Sequence, residues 1–334
     1  MDKRKTSLTE VADAAGVSKM TASRVLRNSG RFSEETRTRV LKEAARLNYV
    51  PNRLAAAFAS ESASTLVGVL VPRLSGGLFG QVVEAIDATL TRLGYQTMIG
   101  TFENCTVQEE AWLKSVLAWR PAGLILTGRA HSEGTTAMLK AATLPLVEIW
   151  DLNTRPADIS VGINHFDCGY EMGRLFLSRE RRRIGYAGAD LSAPGLGRSR
   201  LDGFEQALRD SGAGPVETEL LDDRPSFYQG FYATQNLLSR HPDLDAIYFQ
   251  NDEMAVGGMS YCQSSGLGVP GDIGIAGWGG TDVAAILERR LTTTNISTRA
   301  LGRAAAEALV SRIRDDAVRD VIEIKSHLIP GDTL

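Results

Sequence analysis

Apolar positions in the first fifty residues recur at spacings of three and four. Leu8, Val11, Ala12, Ala15 and Val17 share one face, with Thr9 as the expected N-cap, and predict a short helix over 9–15. Gly16 is placed to end it, because glycine turns most easily into the left-handed region. Ser18 is placed to cap a second helix that carries Thr21, Ala22, Val25 and Leu26 at helical spacing. A third is predicted from Ser33 to about Leu47 through Val40, Leu41, Ala44 and Leu47, with acidic residues in its first turn to complement the helix dipole. The start of the chain therefore reads as helix, tight turn, helix, helix.

From Leu66 onward the pattern changes. Short apolar runs begin at Leu66, Gln96, Gly123, Leu146, Arg183, Ala246 and Ile273, and between most of them lie stretches of helical period such as 79–93, 107–119 and 227–240. Strand and helix in alternation indicate βαβ units and parallel sheets covered on both faces. Ligands of such sheets bind beyond the carboxyl ends of the strands, so the residues just after each run carry the candidate chemistry.

Length and charge divide the chain in the same place. At 334 residues it exceeds one ordinary core. The net charge is −3, yet residues 1–60 alone carry +6 and the remainder −9. A basic module on an acidic body predicts that one end meets a polyanion. Cys105, Cys168 and Cys262 are too scattered for a disulfide framework or a cysteine metal site, and neither a metal nor a cofactor is expected. No apolar run follows Met1 and no stretch of about 18 apolar residues occurs, so a cytoplasmic protein without a membrane partner is expected.

A second helix introduced by such a turn can enter the DNA major groove. Its base-edge candidates are Lys19, Met20, Ser23 and Arg24: Arg24 and Lys19 can donate to guanine, and Met20 can touch a thymine methyl. Thr21, Arg27, Asn28 and Arg31 suit phosphates. An ordinary three-helix bundle is the alternative, weakened by the local charge.

Three motifs then coincide: Val11-Ala-Asp-Ala-Ala-Gly-Val-Ser, Thr21-Ala-Ser-Arg-Val-Leu and Leu47-Asn-Tyr-Val-Pro-Asn-Arg. Together they resemble the amino-terminal signature of the LacI/GalR transcriptional regulators. The resemblance implies a homodimeric repressor of operator DNA with a carbohydrate-sensing core. Its fold would be an all-α helix-turn-helix head joined to an α/β two-lobed core like that of periplasmic binding proteins. The head would span 1–60, with a hinge helix over 52–60 that brings Asn52, Arg53 and Phe58 to the DNA, Phe58 standing where the family most often has the leucine that wedges into the minor groove, with packing inside the protein as its alternative. Pro51 blocks backward extension of that helix, and two turns are too few to be stable alone. Residues 61–334 would form the effector-binding and dimerisation domain, one lobe from 62–162 plus 294–321 and the other from 163–293 plus 322–334. The last residues, 329–334, contain no heptad pattern, so a dimer is expected in place of a coiled-coil tetramer.

Ser18-Lys-Met-Thr, Gly94-Tyr-Gln-Thr-Met, Gly123 to His131 and Val147-Glu-Ile-Trp-Asp151 look most similar to the gluconate-utilisation branch, which makes a sugar acid the expected effector. Such a ligand needs a cation for its carboxylate and acid or amide groups for its hydroxyls. The resemblance puts Arg200 and the pair Asn251 and Asp252 at the effector, with a surface ion pair and a helix cap as the respective alternatives. Arg129, His131, Glu148 and Asp151 follow or end strands and serve the ligand or support the lobes; Leu74, Ser75 and Phe79 would wall the pocket from the other lobe. His165, at the crossover, is left open between ligand, hinge and surface. Trp278, in Gly277-Trp-Gly-Gly280, can stack on a ligand, but many sugar-binding relatives carry an aspartate there that this chain lacks. A neutral sugar or a purine-like corepressor remains an alternative effector. An enzyme is the remote alternative, since phosphate-loop, nucleophile-elbow and His-Glu-x-x-His motifs are all missing. An exported sugar-binding protein would have no use for the basic head.

Overall fold

The computed structural model describes residues 6–26, 31–50, 64–75, 77–128, 131–152, 155–189, 196–221 and 226–334. The chain divides into two compact units between Ser64 and Thr65.

The first unit contains α1 (Leu8–Ala14), α2 (Lys19–Leu26) and α3 (Glu34–Arg46). The cap of α1 is Ser7, two residues before the expected Thr9. Ser7 Oγ accepts from Glu10 N at 3.2 Å while the Glu10 carboxylate accepts from Ser7 N at 2.7 Å. Only Ser7 has an acid three positions on to complete this reciprocal box; the residue three after Thr9 is Ala12. Gly16 takes φ +64°, and Val17 N reaches back to Ala12 O, closing the turn into α2. Ser18 Oγ then accepts from Thr21 N, as expected of a cap. Val11, Ala12, Ala15, Ala22, Val25, Val40 and Ala44 form the core of this unit. Leu41, expected to face inward, is exposed, because Val40 and Ala44 already occupy the inner stripe and one residue further turns about 100° away from it.

The second unit has two parallel sheets. The first six-stranded sheet runs in the order β11 (Val321–Glu323), β5 (Ile159–Ile163), β4 (Leu146–Asp151), β3 (Gly123–Thr127), β1 (Leu66–Val71), β2 (Gln96–Thr101). One face is covered by α4 (Gly77–Arg92) and α12 (Thr298–Ile313), which pack Val82, Ile86, Leu90, Leu301 and Leu309 onto Val67, Val69 and Val147. The other face meets α5 (Thr106–Ala118) and α6 (Glu133–Ala142), with Leu113 and Val116 against Leu70, Leu124 and Leu126.

The second sheet is ordered β7 (Glu217–Leu221), β6 (Ile184–Ala189), β8 (Ala246–Phe249), β9 (Gly274–Ala276). It lies between α7 (His165–Ser178) with α8 (Leu196–Asp210) on one side and α9 (Phe227–Arg240) with α10 (Asp252–Ser264) on the other. A short α11 (Asp282–Ile286) follows β9, and β10 (Thr293–Ile296) pairs antiparallel with β12 (Ser326–Ile329). The chain passes between the sheets after β5, after β10 and between β11 and β12. The last passage follows Glu323, because Val321–Glu323 still pairs with Ser160–Gly162 of the first sheet.

Candidate functional site

On the first unit, α2 buries Ala22 and Val25 and turns Lys19, Met20 and Arg24 outward, Met20 being 65% exposed. An exposed methionine flanked by two cations on a helix whose start is fixed by Ser18 is a surface suited to a groove. Thr21 and Ser23 are half-buried, and Thr21 Oγ1 lies 2.9 Å from Ser18 Oγ, so both serve the edge of this face. Arg31 is exposed just before α3. Arg27, Asn28, Asn52, Arg53 and Phe58, together with the hinge over 52–60, lie outside the described residues, as does Arg129.

Within the second unit, the loop after β1 and the start of α4 face the start of α10 across a pocket. Arg73, Ser75 and Phe79 line it from the first lobe, and Asn251, Asp252 and Thr281 from the second. Asn251 caps α10, its Oδ1 accepting from Met254 N at 2.9 Å, so its amide NH2 is the group left for a ligand. Asp252 is fully buried; Oδ2 accepts from Thr281 N and Oγ1, and Oδ1 from Thr293 Oγ1 at 2.6 Å. Burial raises its pKa, and the bonds from Thr293 and Thr281 oppose that rise. The carboxylate thus ties the loop after β9 and the first residue of β10 to the start of α10. Leu74 is half exposed beside this pocket in sequence and does not line it.

An aromatic path leads inward from the pocket. Phe79 stacks on Trp150 at 4.5 Å between centroids, Trp150 meets the edge of Trp278, and the Arg200 guanidinium lies 4.0 Å over the Trp278 ring. Trp150, at φ +91°, holds a conformation that bulky residues avoid, and this aims its indole at Phe79 and Trp278. Trp278 O accepts from Asp252 N, joining path and pocket wall.

Arg200 is 2% exposed. Two residues earlier, Arg198 makes the surface pair with Asp202 that was the alternative for Arg200. Arg200 itself donates from Nη2 to Gln250 O at 2.7 Å, and among the described residues no carboxylate lies within ion-pair distance of it. Around it, Arg200 Nε, both ring nitrogens of His165, Tyr186 Oη, Tyr248 Oη and Trp278 Nε1 are buried polar atoms that make no hydrogen bond of normal geometry among the described residues, although Arg200 stands near enough to Tyr186 to pull against the rise in its pKa. Each such atom costs about 1 to 3 kcal/mol, so a cluster of them marks a place where a polar ligand or water completes the bonding. Burial drives the His165 pKa down to about 3, and the Arg200 charge adds to the effect, so the imidazole is neutral. Burial likewise raises the pKa of Tyr186 and Tyr248, and both phenols keep their protons.

Helix contact delivers Arg200 to this spot. A Cβ on Gly169 of α7 would lie 1.8 Å from Arg200 O, and one on Gly203 of α8 would lie 2.0 Å from Phe166 O. The two helices touch backbone to backbone at these positions, which sets the first turn of α8 beside His165.

The remaining candidates assemble elsewhere. His131 Nδ1 is 2.6 Å from Glu109 Oε1, and its Nε2 is 3.8 Å from Glu148 Oε1. Burial disfavours the charge on His131, but the hydrogen bond to Glu109 and the nearby Glu148 carboxylate outweigh it and raise the pKa to about 9. His131 is thus an imidazolium between two buried carboxylates. Asp151, at the end of β4, sits 3.6 Å from His165 Nε2 and so belongs with the Arg200 group. Sequence reasoning did not single out Glu109, Trp150, Tyr186 and Tyr248. Glu109 was legible only as one acid in a helix of mixed polarity, and the other three read as apolar strand positions.

A sequence model for bacterial regulatory proteins of the lacI family matches residues 7–52, and one for periplasmic binding proteins and the sugar binding domain of the LacI family matches residues 64–331. The chain belongs to the LacI family. It is 34% identical over its whole length, and over the whole length of the relative, to the HTH-type transcriptional regulator GntR of Escherichia coli K12. A crystal structure of a LacI family transcriptional regulator from Silicibacter pomeroyi superposes with a TM-score of 0.91 at 38% identity, covering 98% of this chain and 99% of that one. The Lac repressor dimer bound to operator and the anti-inducer ONPF superposes at 0.87 with 27% identity, covering 99% of each chain. The helical head and α/β core are therefore the family's, and the LacI-family member is a transcriptional regulator rather than an enzyme. Among its described residues no helix is long and apolar enough to cross a membrane.

Proposed function

We propose that this regulator represses genes for sugar-acid use and leaves its operator when a gluconate-type acid enters the cleft between its lobes. The observation that carries the reading is Arg200: a buried guanidinium with no carboxylate beside it among the described residues, set among unpartnered donors. A buried cation calls for an anion, and a carboxylate with neighbouring hydroxyls satisfies both the charge and the donors. Phe79 and Trp278 supply apolar walls, and Ser75, Asn251 and Asp252 bound the polar end. The similarity to GntR over the full chain supports the same effector class.

The protein works as a homodimer on a roughly palindromic operator, as the Lac repressor does. Lys19, Met20, Ser23 and Arg24 read base edges; Thr21, Arg27, Asn28 and Arg31 hold phosphates; Asn52, Arg53 and Phe58 act from the hinge. Effector binding favours a lobe arrangement in which the hinges no longer meet the DNA together, lowering operator affinity by about 1 to 3 kcal/mol. Titration of the protein with gluconate, related acids and matched neutral sugars, free and on operator, tests this. Binding of an acid that weakens on DNA is expected; binding of only a neutral sugar or a purine removes the effector class and leaves the regulator.

A further inference from the structure

The proposed sugar-acid effector leaves open how the cleft accommodates the ligand's negative charge. Arg200 lies close enough to His165 for its charge to help hold the imidazole neutral, and Asp151 Oδ1, at the end of β4, stands 3.6 Å from His165 Nε2. The hydrogen bonds open to His165 address this. His165 is 3% exposed, and among the described residues neither ring nitrogen makes a hydrogen bond of normal length and angle, the Trp150 backbone being a weaker influence on the imidazole than burial or Arg200. With Asp151 on one side and an effector carboxylate on the other, both nitrogens face oxygens that only accept, and only an imidazolium donates from both.

We propose that His165 is the effector's second carboxylate ligand, beside Arg200, and that its imidazole takes a proton from solvent as the sugar acid binds. One N–H bond forms, the proton comes from the buffer, and the effector stays ionised. The inference rests on the sugar-acid reading above. The charged and titratable groups around His165 are Asp151 at the end of β4, Arg200 on α8, and Cys168 one turn along its own helix, a thiol whose pKa burial raises; Trp150 and Trp278 are the neutral walls. The same fold already contains a histidine in this situation. His131 lies between Glu109 and Glu148, and there the two carboxylates overcome burial and hold the proton.

The sign follows. The effector-free imidazole is neutral, so at any pH below the pKa it acquires in the complex, binding takes up a proton and affinity rises as pH falls. The limiting dependence is about tenfold in Kd per pH unit. The effector's own carboxyl, with an ordinary pKa near about 4, stays ionised above pH 5.5 and contributes nothing to this trend.

Calorimetric titration of the full chain with gluconate, in buffers of different ionisation enthalpy at pH 6, 7 and 8, measures the protons taken up per protomer. About one is expected at the acid end, with affinity declining toward pH 8. H165Q should still bind gluconate through Arg200, more weakly, with no proton uptake and a flat pH profile. Gluconate binding to the native chain without proton uptake overturns the inference while leaving the sugar-acid reading intact. Uptake that persists in H165Q also overturns it, since another group, Asp252 foremost, would then be the acceptor. If gluconate and its relatives fail to bind at any pH, the sugar-acid reading itself is lost and this inference goes with it.

Discussion

Replacing Arg200 with methionine removes the buried charge while keeping most of the side chain's length, and its consequences for ligand and for fold separate cleanly. An effector carboxylate on Arg200 would gain charge-assisted hydrogen bonds of about 1.5 to 3 kcal/mol each. Truncating one partner of such a buried pair costs about 2 to 5 kcal/mol. A loss near the upper half of that range, about 3 to 5 kcal/mol, corresponds to roughly 150- to 4,000-fold weaker binding. The effector-free fold should respond differently. It forfeits the bond to Gln250 O and the contact over Trp278, together about 3 to 5 kcal/mol, but is relieved of a desolvated cation that costs several kcal/mol. These nearly cancel, so the melting temperature should move by less than about 5 °C. Calorimetry with gluconate and a thermal melt of the same preparation read both. If R200M binds the acid within tenfold of the native chain, or melts more than about 10 °C lower, Arg200 is a structural residue and the reasoning fails.

Other changes probe the rest of the molecule. Arg24→Ala should weaken operator binding by about 1 to 3 kcal/mol and relax preference at one base pair, measured by competition with random DNA; equal losses on both DNAs would assign Arg24 to phosphate. Gly169→Ala puts a methyl where Arg200 O stands, so it should destabilise the second unit and weaken effector binding together, and a variant with native affinity would refute the helix-contact argument. Ser7→Ala removes one half of the capping box and should cost the first unit about 1 kcal/mol in a denaturant melt. His131, whose folded pKa of about 9 exceeds the ordinary 6.5, stabilises fully below about pH 6.5 and loses that contribution as pH rises through 9, at most about 3 kcal/mol. Stability curves between pH 6 and 10 should therefore slope down for the native chain and flatten for His131→Gln; parallel curves would place the slope on another group.

The helices of the first unit were legible because their signals are local: a stripe at spacing three and four, a serine before each helix, a glycine between the first two. Even there, the choice between Ser7 and Thr9 turned on whether an acid stood three residues on. The α/β alternation of the second unit was legible for strands with long apolar runs, such as Gly123–Thr127 and Ala246–Phe249. β5 escaped, since Ser160 and Gly162 interrupt its apolar run, and both are needed where the strand passes the Asp151 backbone. Glu217–Leu221 escaped because none of its positions is buried and Thr218 and Leu220 are exposed at a sheet edge.

By itself the sequence determined the kind of protein this is: a basic three-helix head and an acidic α/β body follow from periodicity and charge, which depend on near neighbours along the chain. It also supplied the residue types a sugar acid needs. Only the tertiary structure decided which of them meet. Arg200 lies over Trp278, and His165 beside Asp151, because helices α7 and α8 touch at two glycines and because the strands of both sheets end at the same cleft. His131 and Glu148 were drawn instead to Glu109. Those partnerships are set by burial, where a charge must find its counter-charge across the fold, and no spacing along the chain encodes that distance.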